Sequence, residues 1–240
     1  MKAMIFAAGL GTRLHPITTN KPKALVRVNG KTLLEIVITK IVQAGITDII
    51  INVHHFAQQV IDFVSENNNF GVDIRFSDET AQLLDTGGGL KKASWFLNGD
   101  EPFLVYNVDV LSDINLADFI QYHKNHKALA TLAVRKRETS RYLLFDGDFT
   151  LCAWENLKTG EKKIARDKSD LNPFAFSGIH IIEPAIFNLI NETGRFSIID
   201  VYLKLAKEHR ILGYDHTQTQ WLDLGRIENL KEAESFLNEK

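Results

Sequence analysis

Short runs that are mainly hydrophobic, and continuously so at their centres, occur in the first half of the chain at residues 4–8, 48–53 and 103–109. A segment between the first two runs, 33–42, instead carries apolar residues at helical spacing. Runs that are apolar throughout are typical of parallel strands buried on both faces, and alternation of strands with helices favours right-handed crossovers. The pattern therefore predicts an α/β fold in which helices cover a parallel sheet.

The clearest local signal is a capping box formed by Thr32 and Glu35, which predicts that the first helix begins at Leu33. Gly45 is expected to end this helix. The other elements predicted in this half are a helix through 60–64, a strand over 72–76 and a helix over 88–97. Ligands of such sheets bind beyond the carboxyl ends of the strands, so the loops after 4–8 and 103–109 are predicted to face one cleft.

The second half of the chain has a more mixed pattern. Asp146 and Gly147 separate two apolar segments and indicate a β-hairpin, whereas the polar segment 156–170 predicts a loop or lid. The remaining predicted elements are strands over 128–135, 174–182 and 220–225 and helices over 198–208 and 227–237. The whole pattern predicts a single Rossmann-like α/β domain over 1–240, with a mixed, mainly parallel sheet flanked by helices and a small antiparallel addition.

Composition narrows the class of protein. The 240 residues are 45% hydrophobic and 24% charged, with net charge −2 and no basic stripe, which is typical of a soluble globular protein without a nucleic-acid partner. The single cysteine, Cys152, excludes an internal disulfide framework and is expected in the core. Every apolar run is shorter than a membrane span or a signal peptide requires, so a cytoplasmic protein without membrane association is expected.

A glycine-rich turn, Gly9-Leu10-Gly11-Thr12-Arg13, directly follows the first predicted strand. Such a turn exposes backbone N–H groups that bind phosphate. A dinucleotide fingerprint would need a third glycine where this chain has Leu14, and a Walker loop would need a Gly-Lys-Ser/Thr ending that the sequence lacks. The alternative to a phosphate site is a tight strand-to-loop turn with an arginine at the surface.

Two cations accompany this turn, Arg13 within it and Lys23 ten residues later. A guanidinium binds two phosphate oxygens at once, whereas an ammonium acts as a point charge. Each residue alone is compatible with a solvated surface cation. Together with the glycine turn, they favour a site for a nucleoside triphosphate.

Two acids interrupt apolar runs, Asp109 at the end of a predicted strand and Asp223 within Trp221-Leu222-Asp223-Leu224-Gly225. A carboxylate is costly in a core unless it is paired, but at the edge of a sheet it suits Mg²⁺, which binds a few carboxylates together with phosphate oxygens. An alternative for Asp109 is a turn or helix-capping residue. The sequence predicts a site for one or two Mg²⁺ ions, provided that the two acids meet.

Three consecutive glycines, 87–89, follow Thr86 directly before a predicted helix. Glycines there are unfavourable unless the backbone bends sharply or approaches a ligand closely. A nucleobase or ribose pressed against the chain is one interpretation, and a flexible loop is the other.

These features occur in the order found in one enzyme family. The segments that carry the likeness are 7–18 (AAGLGTRLHPIT), 22–26 (PKALV), 86–88 (TGG), 107–109 (NVD) and 221–225 (WLDLG). They resemble the motifs of the sugar-1-phosphate nucleotidylyltransferases, and the likeness covers nearly the whole chain. The resemblance implies that a sugar-1-phosphate oxygen attacks the α-phosphorus of a nucleoside triphosphate, which releases pyrophosphate and forms a nucleotide-sugar.

The resemblance also implies roles for individual residues. The nucleotide-binding set would be Ala8, Gly9, Gly11, Thr12, Arg13, Lys23 and Gly88, of which Gly88 would lie against the base. Arg13, Lys23 and Asp109 would be catalytic, and Asp109 and Asp223 would bind the Mg²⁺ cofactor. Asn107 would contact the sugar. Residues 1–127 would form the nucleotide-binding half and residues 128–240 the half that binds the sugar phosphate.

Within the family, the chain resembles the short bacterial enzymes typified by N-acetylmuramate-1-phosphate uridylyltransferase, in its length and in segments 84–89 and 176–179. UTP and N-acetylmuramate-1-phosphate are therefore the expected substrates. The mid-chain Glu-Lys motif of thymidylyl-type members does not align with 154–163, so Arg141 and Asn156 remain candidate sugar contacts. Alternatives are a mannose or heptose guanylyltransferase, a phosphocholine cytidylyltransferase and a nucleotide-binding module without turnover. The sequence does not fix the oligomeric state.

Overall fold

The computed structural model of the chain describes residues 1–238. Its strands are β1 (Lys2–Phe6), β2 (Arg27–Val28), β3 (Lys31–Thr32), β4 (Asp48–Val53), β5 (Asp73–Asp78), β6 (Phe103–Asn107), β7 (Val110–Ser112), β8 (Ala130–Arg135), β9 (Arg141–Phe145), β10 (Leu151–Asn156), β11 (Glu161–Ile164), β12 (Asn172–Ile182), β13 (Ile211–Asp215) and β14 (Trp221–Asp223). Its α-helices are α1 (Leu33–Gln43), α2 (Ala57–Glu66), α3 (Asp85–Lys92), α4 (Ser94–Leu97), α5 (Leu116–His126), α6 (Ile198–Leu205) and α7 (Ile227–Asn238).

A ten-stranded sheet forms the centre of the fold, with the order β11-β10-β9-β12-β6-β1-β4-β5; β8 pairs with β12 and also with β13. Strands β6, β1, β4 and β5 are parallel neighbours, and β12 joins β6 in the antiparallel direction. Strands β9, β10 and β11 add an antiparallel portion beside β12. This arrangement confirms the predicted fold class, a mixed, mainly parallel sheet flanked by helices with a small antiparallel addition.

Strand β1 lies inside the sheet, between β4 and β6. Met4 and Ile5 are both fully buried, but they pack into different hydrophobic clusters on the two faces of the sheet. Successive side chains of a strand point to opposite faces, so a strand covered on both sides must be apolar at every position. This explains the continuous apolar run at the start of the sequence.

Several predicted elements have the expected bounds. Strand β4 spans 48–53 as predicted, and the capping box is present: Glu35 N donates to Thr32 Oγ1 (3.1 Å) and Thr32 N donates to Glu35 Oε2 (3.3 Å). Strand β1 ends two residues earlier than predicted, because the amides of Ala7 and Ala8 donate to the side chain of Asn52 and not to a neighbouring strand. Cys152 is buried, as predicted, and burial raises the pKa of its thiol.

Other predictions were wrong. The predicted helix over 88–97 is two helices, α3 and α4, and α3 begins at Asp85, so the glycines 87–89 lie inside a helix. The predicted loop or lid over 156–170 contains strand β11, whose residues are all exposed and therefore give no apolar signal. Strands β7 and β13 were not predicted. No helix within residues 1–238 is both long enough and apolar enough to span a membrane.

Candidate active site

A cavity of about 390 Å³ lies at the carboxyl ends of the parallel strands, where the loops after β1 and β6 meet. Most of the predicted site residues line it, namely Ala8, Gly9, Gly11, Thr12, Arg13, Lys23, Asn107 and Asp109. Thr86, part of the 86–88 motif, also lines the cavity, and lining residues that sequence reasoning missed include Asn52, Glu79, Asp85 and Arg195. The two loops predicted to face one cleft therefore do so.

The glycine-rich turn is shaped by close packing at Gly11. This residue has φ +66°, and a Cβ atom there would lie 3.2 Å from side-chain carbons of both Thr18 and Lys23. The Thr18 hydroxyl donates to the Gly11 carbonyl oxygen at 2.8 Å, and this hydrogen bond stabilises the turn. A glycine is needed at position 11 because a side chain would strain the backbone and crowd these two neighbours.

A buried polar pair, Asn52 and Glu79, supports the same turn from the sheet. Asn52 Oδ1 accepts hydrogen bonds from the amides of Ala7 (2.7 Å) and Ala8 (3.3 Å), and its Nδ2 donates to Glu79 Oε1 at 2.7 Å. The second carboxylate oxygen of Glu79 accepts from the amide of Leu84 at 2.9 Å. Asn52 is 3% exposed and Glu79 is fully buried, so this pair ties the glycine turn to the loop before α3.

We expect Asn52→Ala to lower the free energy of unfolding by about 1–2 kcal/mol, because it leaves the amides of Ala7 and Ala8 and one carboxylate oxygen of Glu79 without their partner. It should also raise the KM for the nucleoside triphosphate, because the turn loses its support. Urea denaturation and steady-state kinetics measure the two effects. The matched control is Asn125→Ala, which removes an exposed amide that accepts a hydrogen bond from Gln121 on α5. Equal stability of Asn52→Ala and the control would contradict the proposed support.

Each of the two predicted cations contacts one of the two predicted acids. Lys23, 7% exposed, forms an ion pair with Asp109, and Arg13 Nη1 lies 3.7 Å from Asp223 Oδ2. The Arg13 side chain is more than half exposed, whereas that of Asp109 is largely covered. The site therefore alternates positive and negative groups, which can bind phosphate oxygens and a cation side by side.

Backbone pairing between β7 and β14 brings the two acids together. Asp223 is paired with Val110 in the antiparallel register, and the amide of Leu224 donates to the carbonyl oxygen of Asp109 at 2.8 Å. Within residues 1–238, no group of three or more histidine, cysteine or carboxylate side chains could hold a metal ion. The backbones of Asp109 and Asp223 are thus close, and a pair of carboxylates is a ligand set that Mg²⁺ completes with phosphate and water oxygens.

Asn107 lies against a bulge in β12. Gly178 has φ +76°, and a Cβ atom there would lie 2.7 Å from Asn107 Nδ2. The register of β12 against β8 shifts between Phe176 and His180, which places this glycine at the irregularity. Glycine is required there because the strand passes directly over the Asn107 amide.

The glycines of α3 allow another part of the protein to approach. The amide of Gly87 donates to the carbonyl oxygen of Phe196 at 2.9 Å, and a Cβ atom on Gly88 would overlap the carbonyl oxygen of Gly194. The Thr86 hydroxyl accepts from the amide of Ile198 at 3.0 Å. This docking places Arg195 at the edge of the cavity. Gly88 itself lies outside the cavity lining, and its predicted contact with a base stays a prediction.

The two candidate sugar contacts from the antiparallel portion lie away from this cavity. Arg141 and Asn156 face each other across the β9–β10 pair, and neither lines the cavity. Asp223 also lies outside the cavity lining. Two residues near it, Gly225 and Arg13, the ion-pair partner of Asp223, do line the cavity. The roles predicted for Arg141 and Asn156 remain untested.

Comparison with known proteins identifies the family. The family model for nucleotidyl transferases matches residues 2–240. The chain belongs to the nucleotidyl transferase family. It is 33% identical to N-acetylmuramate alpha-1-phosphate uridylyltransferase from Neisseria meningitidis, over 98% of each chain. It is 31% identical to a mannose-1-phosphate guanyltransferase from Yarrowia lipolytica, over 94% of this chain and 61% of that one.

The fold agrees with this assignment. A crystal structure of UDP-glucose pyrophosphorylase complexed with UDP-glucose superposes with a TM-score of 0.80 at 20% identity, covering 100% of this chain and 99% of that one. The predicted resemblance to sugar-1-phosphate nucleotidylyltransferases, and to their short N-acetylmuramate-type members, is confirmed. This member of the nucleotidyl transferase family thus presents its glycine turn, two cations and Asp109 in one cavity, with Asp223 in contact with Arg13 outside the cavity lining.

Proposed function

We propose that this nucleotidyl transferase joins a sugar-1-phosphate to a nucleoside triphosphate, with UTP as the donor and N-acetylmuramate-1-phosphate as the acceptor. The observation that carries the proposal is that the two cations beside the glycine turn each contact one of the two acids, Lys23 with Asp109 and Arg13 with Asp223, while the β7–β14 pairing brings the backbones of the two acids close together. The choice of substrates is supported by the full-length likeness to the Neisseria uridylyltransferase.

In the proposed reaction, an oxygen of the sugar phosphate forms a bond to the α-phosphorus as the bond from that phosphorus to the pyrophosphate oxygen breaks. Amides of residues 8–13 bind the triphosphate, Arg13 stabilises the departing pyrophosphate, and Lys23 holds the α-phosphate. Asp109 and Asp223 would hold Mg²⁺, which supplies neutralisation of phosphate charge when bound. Catalysis then comes from positioning and from charge stabilisation by fixed groups.

A second candidate keeps the reaction and changes both substrates: GTP with mannose-1-phosphate. It is favoured by the likeness to the Yarrowia guanyltransferase, which extends over most of this chain. A nucleotide-binding module without turnover is less favoured, because Arg13, Lys23, Asp109 and Asp223 are all present and lie in contact as two oppositely charged pairs.

One assay separates these candidates. The protein is incubated with Mg²⁺, each of UTP, GTP, CTP and dTTP, and each of N-acetylmuramate-1-phosphate, glucose-1-phosphate and mannose-1-phosphate, and released pyrophosphate is measured. We expect the highest kcat/KM with UTP and N-acetylmuramate-1-phosphate. Release with GTP and mannose-1-phosphate alone would establish the second candidate. Absence of release with every pair would contradict the proposed enzyme activity.

A further inference from the structure

Two arginines flank the indole of Trp221 at the end of the site that contains Asp223. The guanidinium carbon of Arg137 lies 4.5 Å from the centre of the Trp221 ring, and that of Arg135 lies 5.9 Å from it. Trp221 itself is fixed, because its Nε1 donates to the Ser177 carbonyl oxygen at 3.0 Å. Two like charges on one aromatic ring repel each other, so this arrangement is unfavourable without a compensating anion.

Both guanidinium groups have too few hydrogen-bond acceptors. The Nε atoms of both arginines and Nη1 of Arg135 are buried without a partner among the described residues. The contacts that Arg137 does make are long, at 3.4 Å to the carbonyl oxygens of Glu138 and Phe176. A buried donor without an acceptor costs about 1–3 kcal/mol, more when charged, and calls for an explanation such as a bound ligand.

The two arginines differ in the acids around them. Burial lowers the pKa of Arg135, and the carboxylates of Asp113 and Asp215 oppose this effect. Burial also lowers the pKa of Arg137, and Asp223 opposes it. However, Asp223 also faces Arg13 at 3.7 Å. Arg137 therefore shares its acid with another cation, and its charge is the less compensated of the two.

The position of Arg137 connects it to the cavity through β12. Arg137 Nη2 contacts the carbonyl oxygen of Phe176, and Trp221 contacts that of the next residue, Ser177. Gly178 then packs against Asn107, which lines the cavity. Arg137 itself does not line the cavity, so an acceptor that contacts Asn107 would have to extend past Gly178 to reach Arg137.

We propose that Arg137 binds an oxyanion of the acceptor substrate, either its phosphate or a carboxylate carried by the sugar. This inference rests on the proposed function and adds a specificity-determining residue to it. A planar guanidinium stacked on an indole keeps a fixed orientation and can receive two oxygens of a phosphate or a carboxylate.

The kinetic test uses Arg137→Gln, with UTP and each of N-acetylmuramate-1-phosphate, glucose-1-phosphate and mannose-1-phosphate. We expect the KM for the acceptor to rise at least about tenfold, because a charge-assisted hydrogen bond is lost, whereas the KM for UTP changes less than about twofold. Arg137→Lys should be intermediate, because it keeps the charge and loses the planar group. The matched control is Lys136→Gln, whose ammonium lies near Phe174 and is exposed.

The acceptors distinguish the source of the oxyanion. If the KM of Arg137→Gln rises for all three acceptors, Arg137 binds the phosphate. If the KM rises only for N-acetylmuramate-1-phosphate, whose sugar carries a carboxylate, Arg137 binds that carboxylate. Either result supports the proposal. An unchanged acceptor KM, or an equal rise in the KM for UTP, overturns it. The melting temperature provides a second readout: loss of an arginine with so few partners should leave it within about 3 °C of that of the unmodified protein, whereas a purely structural arginine would lower it more.

Failure of the proposed function leaves this inference testable. If the unmodified protein releases no pyrophosphate with any pair, the same three sugar phosphates are titrated into the unmodified protein and into Arg137→Gln by calorimetry. Binding at least about tenfold weaker in the variant supports the assignment of Arg137, since tenfold is the loss expected for one charge-assisted contact. Equal binding, or no binding to the unmodified protein, overturns it.

Discussion

Asp109→Asn is expected to lower kcat at least about 10³-fold while the protein remains folded, because removal of a group that fixes the position of charge in the transition state has effects of this size. Asp109 forms an ion pair with Lys23, and its backbone carbonyl accepts a hydrogen bond from Leu224, the residue after Asp223. The asparagine keeps an oxygen that can accept from Lys23, but it loses the charge that the proposed Mg²⁺ site requires. Steady-state pyrophosphate release measures the effect.

The matched control for this prediction is Asp148→Asn, which removes an exposed carboxylate in the turn between β9 and β10. We expect unchanged kcat in the control and cooperative unfolding in both variants, followed by circular dichroism. Equilibrium titration with UTP in the absence of turnover tests whether Asp109→Asn still forms the nucleotide site. Activity within tenfold of the unmodified enzyme would contradict the role of Asp109 in metal binding.

Gly88→Ala is expected to lower the free energy of unfolding by about 2–3 kcal/mol. In a helix, alanine is normally more stabilising than glycine by about 1 kcal/mol. A loss of stability in Gly88→Ala would therefore be opposite to what helix propensity alone predicts. The reason is steric, because the new methyl group would overlap the carbonyl oxygen of Gly194, and a backbone atom cannot move aside by rotating a side chain. Urea denaturation measures the change.

Gly147→Ala is the control for this second prediction, since a Cβ atom there has no heavy atom within 4 Å in residues 1–238 and its φ is not positive. We expect that control to change stability by less than about 0.5 kcal/mol. Gly88→Ala should also displace Arg195 from the edge of the cavity, because residues 194–196 dock on the glycines. A stabilising effect of Gly88→Ala would show that residues 194–196 do not pack against the helix as described.

Much of the central sheet could be predicted from the sequence because its strands are buried on both faces. Met4 and Ile5, or the central isoleucines of β4, carry the apolar signal at every position, and the capping box at Thr32 is a local signal that needs no tertiary information. Strand β11 could not be predicted, because all its residues are exposed and its sequence therefore has no apolar pattern. It forms a strand through its backbone pairing with β10.

The residues of the candidate site also fall into those that could be predicted from the sequence and those that could not. The glycine turn and Asp109 could be predicted because they follow or end an apolar run, Arg13 and Lys23 because they accompany that turn, and Asn107 from the resemblance to the family. The glycines 87–89 were predicted to approach a ligand or to form a flexible loop, whereas they lie in a helix against Gly194 and Phe196, which the sequence could not identify. Asn52, Glu79 and Arg137 were missed because their roles come from partners distant in sequence.

The hydrogen-bonded pairing of Trp221–Asp223 with Val110–Ser112 has a consequence for biosynthesis. A ribosome makes the glycine turn, Lys23 and Asp109 long before it makes Asp223, so an unfinished polypeptide can collapse around the sheet without holding both carboxylates. Closing so long a segment is also among the slower steps in chain collapse. Nascent chains released before residue 225 should therefore lack catalytic activity, even where the glycine turn has already folded.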